Sequence, residues 1–496
     1  MKIESMKNRF LLIALFMLII TCATAQNSQV LYFMNLPQNH LLNPALHPTN
    51  SVYVGLPALT GVNFSIKNNF FNFSDVFSEG MQIDESSIPF LNPDFDRDKF
   101  LGRLKEMNYL EPTVAVQLFG LGFSVGKSRD LYIFLDVNEH AEANVVFPRD
   151  LIKLAFMGNQ EFAGQTFDLS STRADMSYYH EIGIGASKNI TPKLRIGAKA
   201  KILFGVSAGS LNTNQINLKV NNDYTNTLDI NGTFDFSAPI ILYANADNDI
   251  DSVRFDNDRF DSDDGITKFL TNTKNAGFGF DLGAEYAINN KIVISAALTN
   301  IGSIKWKTDI GNLETHSTIK LSGLDFEDVY EGNTNIDDIL KNVTDSISHA
   351  LYTKGEPRPF TTNLTPGAVI GGKYILNDKI SFGIISYSRF MSHQVREALT
   401  LSANLNLGSS LSTTLAYTAC NNNYNNLGFG LAFRALWAQF YFLVDRIPLS
   451  WKKAGTGNDA ITLPANWNTL HTGFGMNLVF GNKIKKNRSA EIIESE

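Results

Sequence analysis

The dominant pattern along the chain is alternation of apolar residues with small or polar ones. From Gly277 to Ile288, one side carries Phe278, Phe280, Leu282, Ala284, Tyr286 and Ile288. The other carries Gly277, Gly279, Asp281, Gly283, Glu285 and Ala287. Successive side chains of a strand point to opposite faces, so this segment has one apolar face and one small or charged face. Leu194–Phe204 repeats the design, with Ile196, Ile202 and Phe204 opposed to Arg195, Lys199 and Lys201. In Leu399–Leu407 the apolar row faces Thr400, Ser402, Asn404 and Asn406, and in Leu427–Ala435 it faces Gly428, Gly430, Ala432 and Arg434.

Read this way, the pattern predicts strands at Val52–Ile66, Pro112–Gly126, Asp130–Phe147, Ser177–Lys188, Lys193–Val206, Gly277–Ile288 and Lys291–Ile301. It continues with Pro366–Leu376, Lys379–Arg389, Glu397–Leu407, Leu411–Ala419, Leu427–Ala435, Trp437–Asp445 and His471–Phe480. The segments approach the 9–11 residues of a membrane-crossing strand rather than the 5–6 of a soluble one. Their connections alternate short and long, with tight turns such as Asn289-Asn290 and Asn377-Asp378 on one side and large loops at 207–276 and 302–365 on the other. Lipid offers the backbone no hydrogen bonds, so such strands must close on themselves. The expected fold is all-β: a transmembrane antiparallel β-barrel of about 14 strands with long outer loops and both ends on the periplasmic side. Helical spacing also appears at Asp150–Phe162 and Ile336–Leu351, both in expected outer loops.

Composition fits. Charged residues are 18%, with 36 Phe and 36 Gly, and no apolar run after the N-terminus reaches the roughly 18 residues of a spanning helix. The N-terminus has a basic start at Lys2, Lys7 and Arg9, an apolar run Phe10–Ile20, and the small-x-small site Ala23-Thr24-Ala25. This is a secretory signal, residues 1–25, with cleavage after Ala25. Mass spectrometry of the mature N-terminus should find Gln26; an acylated Cys22 would contradict it. Cleavage takes the net charge from −7 to −9, because the signal carries three basic residues and Glu4. An acidic chain without a basic block excludes nucleic acid as partner. After cleavage Cys420 is the sole cysteine, so no internal disulfide forms.

Residues 26–50 are too apolar for a solvated tail, with Leu31, Tyr32, Phe33, Met34, Leu36, Leu41, Leu42 and Leu46, and Pro37, Pro44 and Pro48 exclude a ladder strand. They are expected to form a hatch inside the barrel, seated by a turn at Asn43-Pro44-Ala45. The barrel then occupies 51–480, and a charged tail, expected to be disordered, 481–496. Expected lumen-lining residues are Lys199, Lys201, Asp281, Glu285 and Arg434. On that facing, Leu282→Arg would impair assembly and Asp281→Asn would not.

Chemical motifs are few. Gly205-Val206-Ser207-Ala208-Gly209 matches G-x-S-x-G, but Ser210-Leu211-Asn212 after it is a poor helix start, and the motif needs one. The acidic run with Asp247, Asp249 and Asp251 departs from a calcium loop, since Ser252 stands at the glycine position and Asp258 at that of the bidentate Glu. A solvated outer loop is expected there, with a loose cation site as the alternative. No H-E-x-x-H is present, so no metal, no cofactor and no enzymatic activity are expected.

The N-P-A segment Asn43-Pro44-Ala45, just before the first strand, resembles the hatch of FadL-like barrels, a group that includes long-chain fatty-acid transporters and the PorV/PorQ-type barrels of type IX secretion. Gly277–Trp306, GFGFDLGAEYAINNKIVISAALTNIGSIKW, and Gly428–Asp445, GFGLAFRALWAQFYFLVD, resemble hairpins of Bacteroidota outer-membrane proteins related to that group. The resemblance implies a 14-stranded barrel with an N-terminal hatch, in the outer membrane. The large loops at 207–276 and 302–365 depart from a compact transporter. Two functions follow as expectations: a channel or transporter for small or apolar solutes, or a docking partner in protein export or surface assembly. The expected partners are outer-membrane lipid, the barrel-assembly machinery and, for the second reading, secretion-system or surface proteins.

Overall fold

The computed structural model describes residues 28–482 apart from 58, 73–96, 127–128, 245–249, 263, 322–351, 354–356, 392–393, 409, 421–422, 448–450, 455–460 and 465–468. The signal, the segment Ile336–Leu351 and the tail after Asn482 lie outside those residues. No described helix is long and apolar enough to cross a membrane.

Fourteen antiparallel strands close into one barrel. They are β1 (Asn50–Gly55, resuming at Gly61–Asn68), β2 (Met107–Val125), β3 (Leu131–Pro148), β4 (Arg173–Asn189), β5 (Leu194–Val220), β6 (Ala276–Ala287) and β7 (Ile292–Trp306). The rest are β8 (Gly367–Ile375), β9 (Ile380–Phe390), β10 (Val395–Leu407), β11 (Leu411–Cys420), β12 (Asn423–Ala435), β13 (Ala438–Ile447) and β14 (Thr469–Asn482). Each pairs with its sequence neighbour, and β14 closes on β1, with Val52 opposite Phe480 and Val62 opposite Phe474. All fourteen fall where alternation placed them.

The two faces of the wall differ as their side chains demand. Phe278, Leu282, Ile370 and Leu415 project outward and are 59, 47, 66 and 57% exposed. A belt of apolar side chains turned away from the core has a favourable environment only in lipid. Asp281, Lys199, Thr400 and Asn404 point inward and are buried.

Three features differ from the sequence reading. Strand β1 is interrupted: the chain leaves the ladder after Gly55, because Pro57 has no N–H to give it, and rejoins it at Gly61. The detour closes on itself, Thr60 donating N–H and Oγ1 to the Leu56 carbonyl at 3.0 and 2.7 Å. Second, the expected loop 207–276 is partly sheet. Strand β5 runs for 27 residues. Beyond Phe204 it leaves β6 and pairs with Asn226–Ser237, which pairs in turn with Ile310–Leu321. This outward sheet has an apolar row of its own, Leu211, Phe234 and Leu313 abreast and Leu218, Leu228 and Ile319 further along the same face, but it lies beyond the length of one membrane crossing, which ended the expected strand at Val206. Third, the helix expected over Asp150–Phe162 is Arg149–Met157, because Gly158 adopts φ +69° and ends it.

Candidate functional site: the hatch and the charged layer of the lumen

The chain enters the lumen before it enters the wall. Residues Val30–Phe33 and Pro37–Leu41 form two 3-10 turns inside the barrel. Prolines at 37, 44 and 48 prevent a strand, so the backbone satisfies itself locally and through the wall. Met34 N–H donates to Leu31 O at 3.2 Å, and Asn43 N–H to Asn39 O at 3.2 Å. The N–H groups of Gln29 and Val30 donate to the Asp445 carboxylate, each at 3.2 Å. Val30, Leu31, Tyr32, Phe33, Met34, Leu36, Leu42 and Leu46 are buried and pack on wall residues such as Val369, Ile385, Tyr441 and Leu443. Burying a large apolar side chain fully contributes about 1.5–3 kcal/mol. The cluster therefore outweighs an ordering cost of roughly 1–2 kcal/mol per residue only with polar anchors added.

Those anchors are specific. Asn43 is fully buried. Its Oδ1 accepts from Ala45 N–H at 2.9 Å, holding the turn through Pro44. Its Nδ2 reaches the strand carbonyls of Ala284 and Ala296, both at 3.3 Å. Gln38 Nε2 donates to Asn477 Oδ1 at 2.7 Å, and Tyr32 OH meets Ser295 Oγ at 2.7 Å. The wall makes room by omitting side chains. A Cβ at Gly197 would overlap the Pro44–Ala45 backbone, at Gly283 the Asn43 amide, at Gly371 Tyr32, at Gly383 Phe33, and at Gly430 Met34. The small face of each alternating strand is thus the seat of the hatch. Gly283→Val should unseat the Asn43 turn while leaving the barrel closed. Limited proteolysis of the folded variant is then expected to cut near Tyr32 at least tenfold faster than in the parent; equal protection would mean the seat is not at Gly283.

Next to the hatch lies a layer of charges. His40, from the hatch, meets Asp136 at 2.8 Å. Lys199 lies between Asp136 at 3.1 Å and Glu181 at 2.7 Å. Lys201 lies between Asp281 at 2.9 Å and Glu181 at 3.6 Å, and donates to Asn300 Oδ1 at 2.6 Å. Asn300 takes φ +58° at a bulge in β7, which aims its N–H at Asp281 Oδ1, 2.6 Å away. Lys199, Lys201 and Asp281 therefore do not line open water; they are a buried, mutually neutralising network. Glu285 pairs with Arg195 at 3.2 Å. Arg434 stands apart at the rim with the short turns, bonded to Asn50 Oδ1 at 2.9 Å and Val479 O at 3.0 Å. Sequence reasoning missed His40, Asp136 and Glu181. The last two sit on the inward rows of strands β3 and β4 and were open to the parity argument. Outside this layer, a polar vestibule of about 650 Å³ opens between Glu142, Asp175, Ser210, Asn363 and Arg389.

The remaining motifs are accounted for. The G-x-S-x-G segment lies within continuous β5, and Ser207 Oγ donates to the Ser237 carbonyl at 3.0 Å. Asp247 and Asp249 lie outside the described residues, and Asp251 lies in the strand Ile250–Phe255. Nearby, Asp258 pairs with Arg254 at 3.3 Å and Asp264 with Lys268 at 2.6 Å. Among the described residues no group of three or more His, Cys, Asp and Glu is placed to hold a metal.

A closed wall with an apolar outer belt and a lumen filled by the chain's own N-terminal segment defines a plugged transmembrane β-barrel. The chain belongs to DUF5723, a family of unknown function, whose signature matches residues 44–445. No curated protein matches it by sequence. Among solved structures it is similar to the Ralstonia pickettii toluene transporter TbuX, with 9% identity, 92% of this chain and 98% of that chain covered, and a TM-score of 0.41. It is also similar to a Pseudomonas aeruginosa FadL homologue, with 10% identity, 92% and 99% covered, and a TM-score of 0.39. The Pseudomonas putida toluene transporter TodX gives 8% identity, 93% and 98% covered, and a TM-score of 0.38.

Proposed function

We propose that this protein is an outer-membrane channel for small solutes, gated by its own hatch. The observation that carries the reading is how the lumen is closed. The plug is a short irregular segment held by side-chain hydrogen bonds, one buried His–Asp contact and glycine-sized recesses, with no ladder pairing to the wall along its two 3-10 turns. Such a segment can leave its seat without unfolding the barrel. The vestibule supplies an entry chamber of polar character on the outer side. The test is to tether the hatch. With Gln38→Cys and Asn477→Cys in a Cys420→Ser background, a short bifunctional thiol reagent bridges hatch and wall. Proteoliposomes should take up small sugars before bridging and lose most of that uptake after it. Uptake unchanged by bridging would remove the hatch as gate, and no uptake in either state would remove the channel.

A docking role in protein export or surface assembly draws support from a different feature, the outward sheet of β5 with Asn226–Ser237 and Ile310–Leu321. It carries a paired surface beyond the expected membrane span, with an apolar row on one face, that a channel does not need. Recovery of a stable protein partner after gentle extraction, lost on shortening that sheet, is the result this reading expects.

A further inference from the structure

A second cluster lies where the hatch begins, bordering the charged layer at Arg389. Four basic residues converge on a cavity of about 40 Å³: Lys67 from β1, Arg389 from β9, Arg396 from β10 and Arg446 from β13. Four carboxylates face them, and each is already engaged, Glu142 with Arg389 at 3.8 Å. Both oxygens of Glu111 are taken by Arg389 and Arg396. Asp445 lies 2.9 Å from His471 Nδ1 and accepts from the hatch N–H groups of Gln29 and Val30. Glu397 accepts from Ser388 Oγ at 3.2 Å. Lys67 is only 8% exposed, yet its nearest carboxylate oxygen, on Glu111, is 4.0 Å away. Arg446 has no acidic partner among the described residues.

The wall is distorted to put Arg446 there. Regular alternation would aim Asp445 inward and Arg446 at lipid. Instead Arg446 takes φ +78°, and the pairing of β12 with β13 shifts register between Leu427–Ile447 and Gly428–Asp445. The bulge turns the guanidinium into the same cavity as Asp445. A strained backbone that adds a cation beside an underpaired buried ammonium is costly unless a negative charge comes to both.

We propose that this cavity is a binding site for an anionic group of carboxylate size, held by Lys67 and Arg446 with the Thr418 hydroxyl beside them. A water needs roughly 10–15 Å³ of such space, so about 40 Å³ has room for one small anionic group, a carboxylate or a sulfonate. The site stands whether or not the hatch opens; if it does, the site selects for anionic solutes at the hatch end.

Cys420 lines the same cavity and is a free thiol, so it reports on the site directly. Full-length mature barrel in detergent is treated with 2-sulfonatoethyl methanethiosulfonate or its trimethylammonium counterpart, and labelling is followed by mass. The sulfonate reagent should react faster, on the order of tenfold, because a focused positive potential raises its local concentration. Acetate should slow labelling more than gluconate at equal ionic strength. Lys67→Gln and Arg446→Gln should each lower the sulfonate preference, with folding checked by heat-modifiable gel mobility. Labelling that is equal or faster with the ammonium reagent would overturn the proposal. So would acetate and gluconate acting alike on the unsubstituted protein, or no labelling of the folded protein by either reagent.

Discussion

Leu282→Arg should largely prevent assembly of the barrel. Leu282 is half exposed on the outer wall of β6, between Ala198 of β5 and Leu298 of β7 in the ladder. A guanidinium at mid-bilayer depth on a lipid face costs about 2–4 kcal/mol, a large fraction of the 5–15 kcal/mol that holds a typical protein folded. One residue away, Asp281 faces inward and is buried, so the comparison isolates direction from position. Asp281→Asn is not the harmless change that a wet lumen would make it. It removes the 2.9 Å ion pair with Lys201, although Glu181 and Asn300 stay in contact with that ammonium and the new amide oxygen can still accept from Asn300 N–H. The expected loss is about 1–3 kcal/mol, enough to lower the temperature at which the folded band disappears on an unboiled gel without preventing insertion. Equal recovery of folded barrel for both variants would mean that the facing of β6 is wrong.

The fourteen wall strands were legible because lipid on one side and lumen on the other impose opposite chemistry on alternate residues, and segments such as Gly277–Ile288 show it without interruption. Parity in those segments also set Asp281, Lys199, Lys201, Glu285 and Arg434 on the face opposite the apolar row. What it left open was what the inward face meets. Gly197, Gly283, Gly371, Gly383 and Gly430 read as the small side of a strand, and only the placed hatch shows them to be recesses for Pro44, Asn43, Tyr32, Phe33 and Met34. The charged layer joins residues far apart in the chain, His40 with Asp136 across 96 positions and Lys201 with Asn300 across 99, and no local pattern signals such pairs. Arg446 broke parity for a different reason, a single bulge whose positive φ no neighbouring residue announces. The outward extension of β5 alternates as well, at Ile216, Leu218 and Val220 and in its partner at Leu228, Ile230, Phe234 and Phe236, and it escaped notice because the strand was ended at Val206, the length of one membrane crossing.

On the function proposed above, residues 28–49 are what closes the lumen. Their side chains are buried among wall residues on opposite sides of the barrel. Asn43 is on the carbonyls of Ala284 and Ala296, Gln38 is on Asn477, and Val30 and Gln29 are on Asp445. Removing the segment takes no residue from the wall, so the fourteen-stranded ladder should persist, weakened by the loss of the shared core. It should also leave Asp136 without His40 but still beside Lys199 and Gln117, at 3.1 and 2.7 Å, so the charged layer keeps its main contacts. The decisive measurement is single-channel conductance in planar bilayers, with the intact mature protein compared with a variant lacking residues 27–46. A closed or rarely opening parent and a variant with large, sustained conductance steps is the predicted result; indistinguishable conductance from two equally folded proteins would contradict it.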